Sequence, residues 1–294
     1  MGELRRENEV EASIDPVEFR DGQREAWNGA ARGWRKWSPT IDAGTSAISA
    51  RLVELAGVEA GSRVLDVAAG YGEPALTAAR RAGPDGSVVA TDISPEMIAY
   101  GRERAVEAGL ENIEFVESAA ASLDFPQGTF DAALSRWGII FEPEAEAAAA
   151  RIRSFLKPAG RFAISSWGAP ERVPMIALPM KIASEQLEVP LPPPGTPGPL
   201  SRPTPEALGG VLEAAGFADV TVEEADVLIE WDSPEDFTTF NREIVPPLRA
   251  ILAERSEEQQ EKALTAITEV ARASRGEAGE VRMPNLALLA VGRA

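Results

Sequence analysis

Between residues 63 and 168 the chain alternates short apolar runs with longer stretches of helical spacing. Arg63 to Val67, Val88 to Asp92, Ile113 to Val116, Phe130 to Leu134 and Phe162 to Ser166 each read as a short buried strand. The segments between them carry helix signals. Pro74 stands near the first turn of one, where its missing N–H costs nothing. Ser94 caps another, with Pro95 at its first position and Gly109 at its stop. An alanine-rich helix from Ala145 to Leu156 is closed by Pro158 and Gly160. Strands separated by helices of this length predict parallel pairing through right-handed crossovers, an α/β fold.

The flanks follow other rhythms. Residues 1–20 are charged and poor in aromatics, which predicts a loosely attached tail. Arg24 to Trp37 reads as a helix carrying Trp27, Trp34 and Trp37, and Ala47 to Ala56 as a second helix ended by Gly57. Residues 169–205 are rich in proline, which predicts a functional lid or a mobile loop. A helix from Pro205 to Ala215 and a strand from Val220 to Ile229 return to the sheet. Residues 233–273 read as a helical insertion: Ser233-Pro234 starts one helix, and Ser256 to Gln259 form a capping box for another. Asn285 to Val291 closes the chain as an apolar strand. The domain organisation expected is a tail and helical lid over 1–60 and a core domain over 61–294. Insertions at 169–205 and 231–280 in that core would form a substrate lid.

Composition narrows the chemistry. The 294 residues contain no cysteine and no histidine, which removes thiolate nucleophiles, Cys or His metal sites and histidine acid–base catalysis. No metal site is expected. A net charge of −18 argues against nucleic acid and anionic membrane as partners. No apolar stretch suits a membrane span or a secretory signal, so a cytoplasmic monomer or homodimer is expected.

The strongest chemical signal is Val64-Leu65-Asp66-Val67-Ala68-Ala69-Gly70-Tyr71-Gly72. A buried strand delivers a carboxylate, and Gly70 and Gly72 then let the backbone approach a ligand closely. Asp92 ends the next strand, 20 residues beyond Gly72, where an acid can accept from both hydroxyls of a ribose. An NAD(P)-dependent oxidoreductase shares this pattern. Asp66, however, would face a pyrophosphate unfavourably and suits a cationic amino group.

With Thr91 to Met97, Phe130 to Arg136 and Ile152 to Arg161 added, the chain resembles the class I S-adenosylmethionine-dependent methyltransferases. The likeness is to their ubiquinone/menaquinone-biosynthesis-like branch, which methylates small molecules. The resemblance implies a Rossmann-like, doubly wound, mostly parallel sheet with an antiparallel last strand, and S-adenosyl-L-methionine as cofactor. It implies that Gly70 and Gly72 wrap the methionine and ribose, that Asp66 lies beneath them, and that Asp92 holds the ribose. Ile93 and Met97 would pack on adenine, and Ser135 would lie near the methionine end. The family commonly places an aspartate for the adenine amino group where this chain has Ala119, so Ser118 or the backbone of Ala119 and Ala120 would read adenine instead.

On the acceptor side, the candidates are Trp27, Trp34, Trp37, Arg136 and Trp167. The three N-terminal tryptophans could equally be core packing. Arg136 suits an acceptor carboxylate or phosphate, or an ion pair with one of the chain's many acids. Transfer from a sulfonium is an in-line displacement with a leaving group already activated, so a chain without histidine can catalyse it. A non-catalytic S-adenosylmethionine-binding protein is the third reading.

Overall fold

The computed structural model describes residues 15–277 and 279–294. Its strands are β1 (Arg63–Val67), β2 (Ser87–Asp92), β3 (Ile113–Glu117), β4 (Phe130–Arg136), β5 (Leu156–Trp167), β6 (Ala218–Trp231) and β7 (Val281–Arg293). They form one sheet in the order β3-β2-β1-β4-β5-β7-β6. The first five pair in parallel, and β7 runs antiparallel to both β5 and β6. Strand order reverses at β1, which lies between β2 and β4. In such sheets the crevice beyond the carboxyl ends of the strands at the reversal is the place where ligands bind.

The helices are α1 (Pro16–Leu55), α2 (Ala75–Ala82), α3 (Pro95–Glu107), α4 (Ala145–Phe155), α5 (Pro174–Leu187), α6 (Pro205–Ala214), α7 (Pro234–Ile244), α8 (Pro246–Ala253) and α9 (Glu257–Ala273). Local chemistry accounts for most of their starts. Ser94, Thr204, Ser233 and Ser256 each accept a backbone N–H at a helix N-terminus, and Ser256 with Gln259 closes the expected capping box. One apolar core packs α1, α2 and α3 on the sheet through Leu52, Leu76 and Ile98 against Val64. A second fills the other face through Phe130, Ile152, Phe162 and Leu208.

Three expectations are corrected. The two N-terminal helices are one helix of 40 residues, and residues 16–20 of the expected tail belong to it. Asp15 caps it, and Arg20 is anchored by Glu142 and Glu144; residues 1–14 of the expected tail lie outside the described residues. The helix continues through Pro39, which cannot donate to the Arg35 carbonyl; the Ser38 hydroxyl does so instead at 3.1 Å. A close seat also packs it against the sheet. A Cβ on Gly44 would come within 2.6 Å of the Leu228 carbonyl oxygen on β6. Next, the proline-rich 169–205 segment is not one loop, because α5 occupies its first half and buries Met175, Ile176, Met180 and Leu187. Finally, the 233–273 insertion contains a helix, α8, between the two expected.

Among the described residues no helix is long and apolar enough to cross a membrane.

Candidate functional site

A cavity opens at the carboxyl ends of β1 to β4, beneath the N-terminal half of α1. The turn after β1 forms its floor. Gly70 has φ +55°, and a Cβ built on it would meet no atom within 4 Å: the backbone faces open space. Asp92, at the end of β2, braces this turn. Its Oδ2 accepts the Gly70 N–H and its Oδ1 the Ser94 N–H, both at 2.8 Å. Burial pushes the Asp92 carboxyl up to about 6, while the N–H bonds from Ser94 and Gly70 pull the other way. Each oxygen keeps a lone pair free for a further donor. Ser94 also donates to Asn28 at 2.6 Å, tying α1 to this turn.

Gly70, Asp92, Ile93, Met97, Ser118, Ala119 and Ala120 all line the cavity. Asp66, Gly72 and Ser135 do not. Asp66 is fully buried below the turn, and neither of its oxygens accepts a hydrogen bond. Burial pushes its carboxyl well above the usual range, against the partial pull of Arg136. The Ser135 hydroxyl ties β4 to β1, donating to the Val67 carbonyl at 2.8 Å and accepting the Ile139 N–H at 3.0 Å.

Trp27, Trp34, Trp167 and Arg136 line the cavity as well, and Trp37 does not: its indole N–H goes to Glu243 at 2.6 Å and its ring packs on Phe240. Trp34 packs on Trp27 and Tyr71, and Trp27 sits edge-on to Phe141. Sequence reasoning missed Trp137, which stacks on Trp167 with ring centroids 4.3 Å apart and holds φ +52°. Its position directly after a strand end was the available signal. Met175 and Ile176 of α5, with Phe240 and Ile244 of α7, complete an apolar wall that no local motif announces.

Ala68 also holds a positive φ, +56°, inside the β1 turn. A Cβ on Gly138 would lie 2.5 Å from the Ala68 Cβ, so the two positions share space for one methyl group. Gly138→Ala should therefore cost about 1–3 kcal/mol by overpacking. Ala68→Gly should gain up to about 1 kcal/mol by relieving the left-handed backbone. The double variant should recover part of the Gly138→Ala loss. Thermal melts of the four proteins check this, and strict additivity would show that the two methyl positions do not compete.

Residues 64–160 match the family model described as a methyltransferase domain. The ubiquinone/menaquinone biosynthesis C-methyltransferase UbiE of Pseudomonas putida is 40% identical over 119 residues, which are 40% of this chain and 46% of that protein. The chain thus spans about half the length of the first curated relatives it matches. Among solved structures, the YcgJ protein of Bacillus subtilis aligns at a TM-score of 0.55 and 20% identity, covering 84% of this chain and 98% of that one. The [4+2]-cyclase SpnF aligns at 0.52 and 19% identity, covering 90% and 96%. At these identities the likeness is one of fold. The matched residues span β1 to the start of β5 and supply the cavity floor; α1, α5, α7 and α8 lie outside them and supply the cover.

Proposed function

We propose that this protein transfers a methyl group from S-adenosylmethionine to a small-molecule acceptor by in-line displacement. The observation that carries the reading is the Gly70–Asp92 cradle, open to the cavity within a methyltransferase domain. Bound there, the cofactor supplies a methyl group activated by a sulfonium. Asp92 would take the ribose hydroxyls, Gly70 and Ala69 would pass beneath the ribose and methionine, and Ile93 and Met97 would pack on adenine. Ser118, Ala119 and Ala120 border the same part of the wall. Asp66 would lie beneath the methionine and ribose, buried below the turn and outside the cavity lining. The first half of α1, with α5 and α7, would close over the acceptor and exclude water. The net charge of −18 supports a small-molecule acceptor over nucleic acid or an anionic membrane, and we read the protein as a cytoplasmic monomer or homodimer.

Calorimetry with S-adenosylhomocysteine and NADH side by side tests the reading. S-adenosylhomocysteine should bind at one site per chain and, at 100-fold excess over Kd, stabilise the fold by about 2.7 kcal/mol. Binding of NADH alone would replace the proposal with an oxidoreductase.

A further inference from the structure

Two arginines stand on the cavity wall, and their surroundings differ. Arg20 is paired with Glu142 and Glu144. Arg136 is buried and, among the described residues, has no carboxylate within 4.0 Å. Its Nη1 donates to Thr45 Oγ1 at 3.0 Å and Ser49 Oγ at 2.9 Å, and its Nη2 donates to the Tyr71 hydroxyl at 3.1 Å. All three acceptors are neutral. Burial pushes the Tyr71 phenol up, so it stays protonated and donates to Asp42 at 2.8 Å. The other Asp42 oxygen is taken by Arg104. One carboxylate thus serves a network holding two guanidiniums.

The other acids on the wall are engaged elsewhere. Asp92 accepts from Gly70 and Ser94, Glu142 from Arg20, and Glu73 from Thr77 at 2.7 Å. A guanidinium has five N–H donors, and three of those of Arg136 have protein partners. Asp42, Glu73 and the buried Asp66 act on Arg136 through space, but none of them bonds to it, and two of its N–H donors have no partner among the described residues. An oxyanion at that free edge would complete its hydrogen bonding.

Arg136 adjoins the glycine turn through the Tyr71 side chain, whereas the cradle presents the Gly70 backbone and the Asp92 carboxylate, which is hydrogen-bonded to Gly70 and Ser94 and not to Arg136. The guanidinium lies 5.7 and 5.4 Å from the ring centroids of Tyr71 and Trp137, and Trp167, Ile41 and Ile229 line the same cavity.

We infer that the methyl acceptor is an apolar molecule bearing an oxyanion, carboxylate or phenolate, which Arg136 binds. The inference rests on the methyltransferase reading for the word acceptor, while the anion site itself does not.

The test uses the full chain saturated with S-adenosylhomocysteine and two matched probes, 2-naphthoate and 2-naphthalenemethanol. Calorimetry should show naphthoate binding at least about tenfold more tightly than the alcohol. Arg136→Met should erase that preference and leave S-adenosylhomocysteine affinity within a few-fold of wild type; Arg136→Lys should keep part of the preference. Equal affinity of the two probes for the wild-type protein overturns the inference without needing any variant to fold. So does an Arg136→Met protein that loses S-adenosylhomocysteine affinity but keeps the naphthoate preference, because Arg136 would then hold the cofactor's own carboxylate. If S-adenosylhomocysteine fails to bind wild type while naphthoate is still preferred, the anion site stands and the methyltransferase reading alone fails.

Discussion

Asp92→Ala should weaken S-adenosylhomocysteine binding by about 100-fold or more while the protein still melts cooperatively. Two ribose hydroxyls would donate to an ionised carboxylate, and hydrogen bonds to charged groups contribute about 1.5–3 kcal/mol each. The same substitution frees the Gly70 and Ser94 N–H groups and loosens the turn that shapes the cradle. The Gly70 N–H lies at the cavity, where water can replace the lost acceptor, and the cost is confined to this turn, so the fold should survive. Binding should also depend on pH with a definite sign. The Asp92 carboxyl titrates at about 6 in the free protein, and the ligand favours its ionised form. Affinity should be level above that value and fall as pH drops below it, approaching about tenfold per unit. Stability of the free protein should move the other way. A folded-state value above the unfolded one means that ionising Asp92 costs stability as pH rises from about 4 to about 6. Asp92→Asn should flatten this share of both trends. Calorimetry between pH 5 and 8 reads the first, and unaltered affinity in a folded Asp92→Ala protein would remove Asp92 from the site.

A protein carrying Trp27→Ala and Trp34→Ala together should bind S-adenosylhomocysteine roughly tenfold more weakly, since each indole covers about 150–250 Å² of apolar surface. These side chains bridge α1 to Phe141 and Tyr71, and the Trp34 N–H reaches the Ile244 carbonyl at 3.2 Å. They hold down the half of α1 that precedes Pro39. In the wild type, hydrogen exchange of amides 20–37 should be faster than that of 48–55, where Ile48, Leu52 and Val53 are buried in the core. It should slow when S-adenosylhomocysteine is added, and the double variant should lose that slowing. Exchange that is slow from the outset and indifferent to ligand would mark the tryptophans as static core and remove the lid.

The cofactor side of the molecule was legible because its residues are contiguous. A strand, a glycine turn and an acid at the next strand end are a local pattern, and β1 falls on the expected Arg63 to Val67. Ser135 shows the limit of that reading: a polar residue at a strand end can serve the packing of two strands instead of the cavity. The acceptor side was much less legible, since its wall is assembled from α1, α5 and α7, far apart in sequence. Prolines hid two of the missed features. Pro39 reads as a break, yet Ser38 caps the carbonyl it leaves and the flanking helix is held by tertiary packing. Pro174 and Pro179 obscured α5, although Ile176, Met180, Ala183 and Leu187 repeat at helical spacing.

The place of β7 in the sheet also sets the order in which the molecule can be built. The strand leaves the ribosome after the other six, yet among the described residues it is the only neighbour of β6 and the outer neighbour of β5. Until residues 281–293 emerge, β6 has no partner in the sheet and β5 presents an open edge, the kind of surface that pairs with other chains. β5 and β7 are also more than a hundred residues apart in sequence, so their pairing closes a large loop. Nascent chains halted before Val281 should therefore be prone to association, and completion of the sheet should be a late, slow event of synthesis.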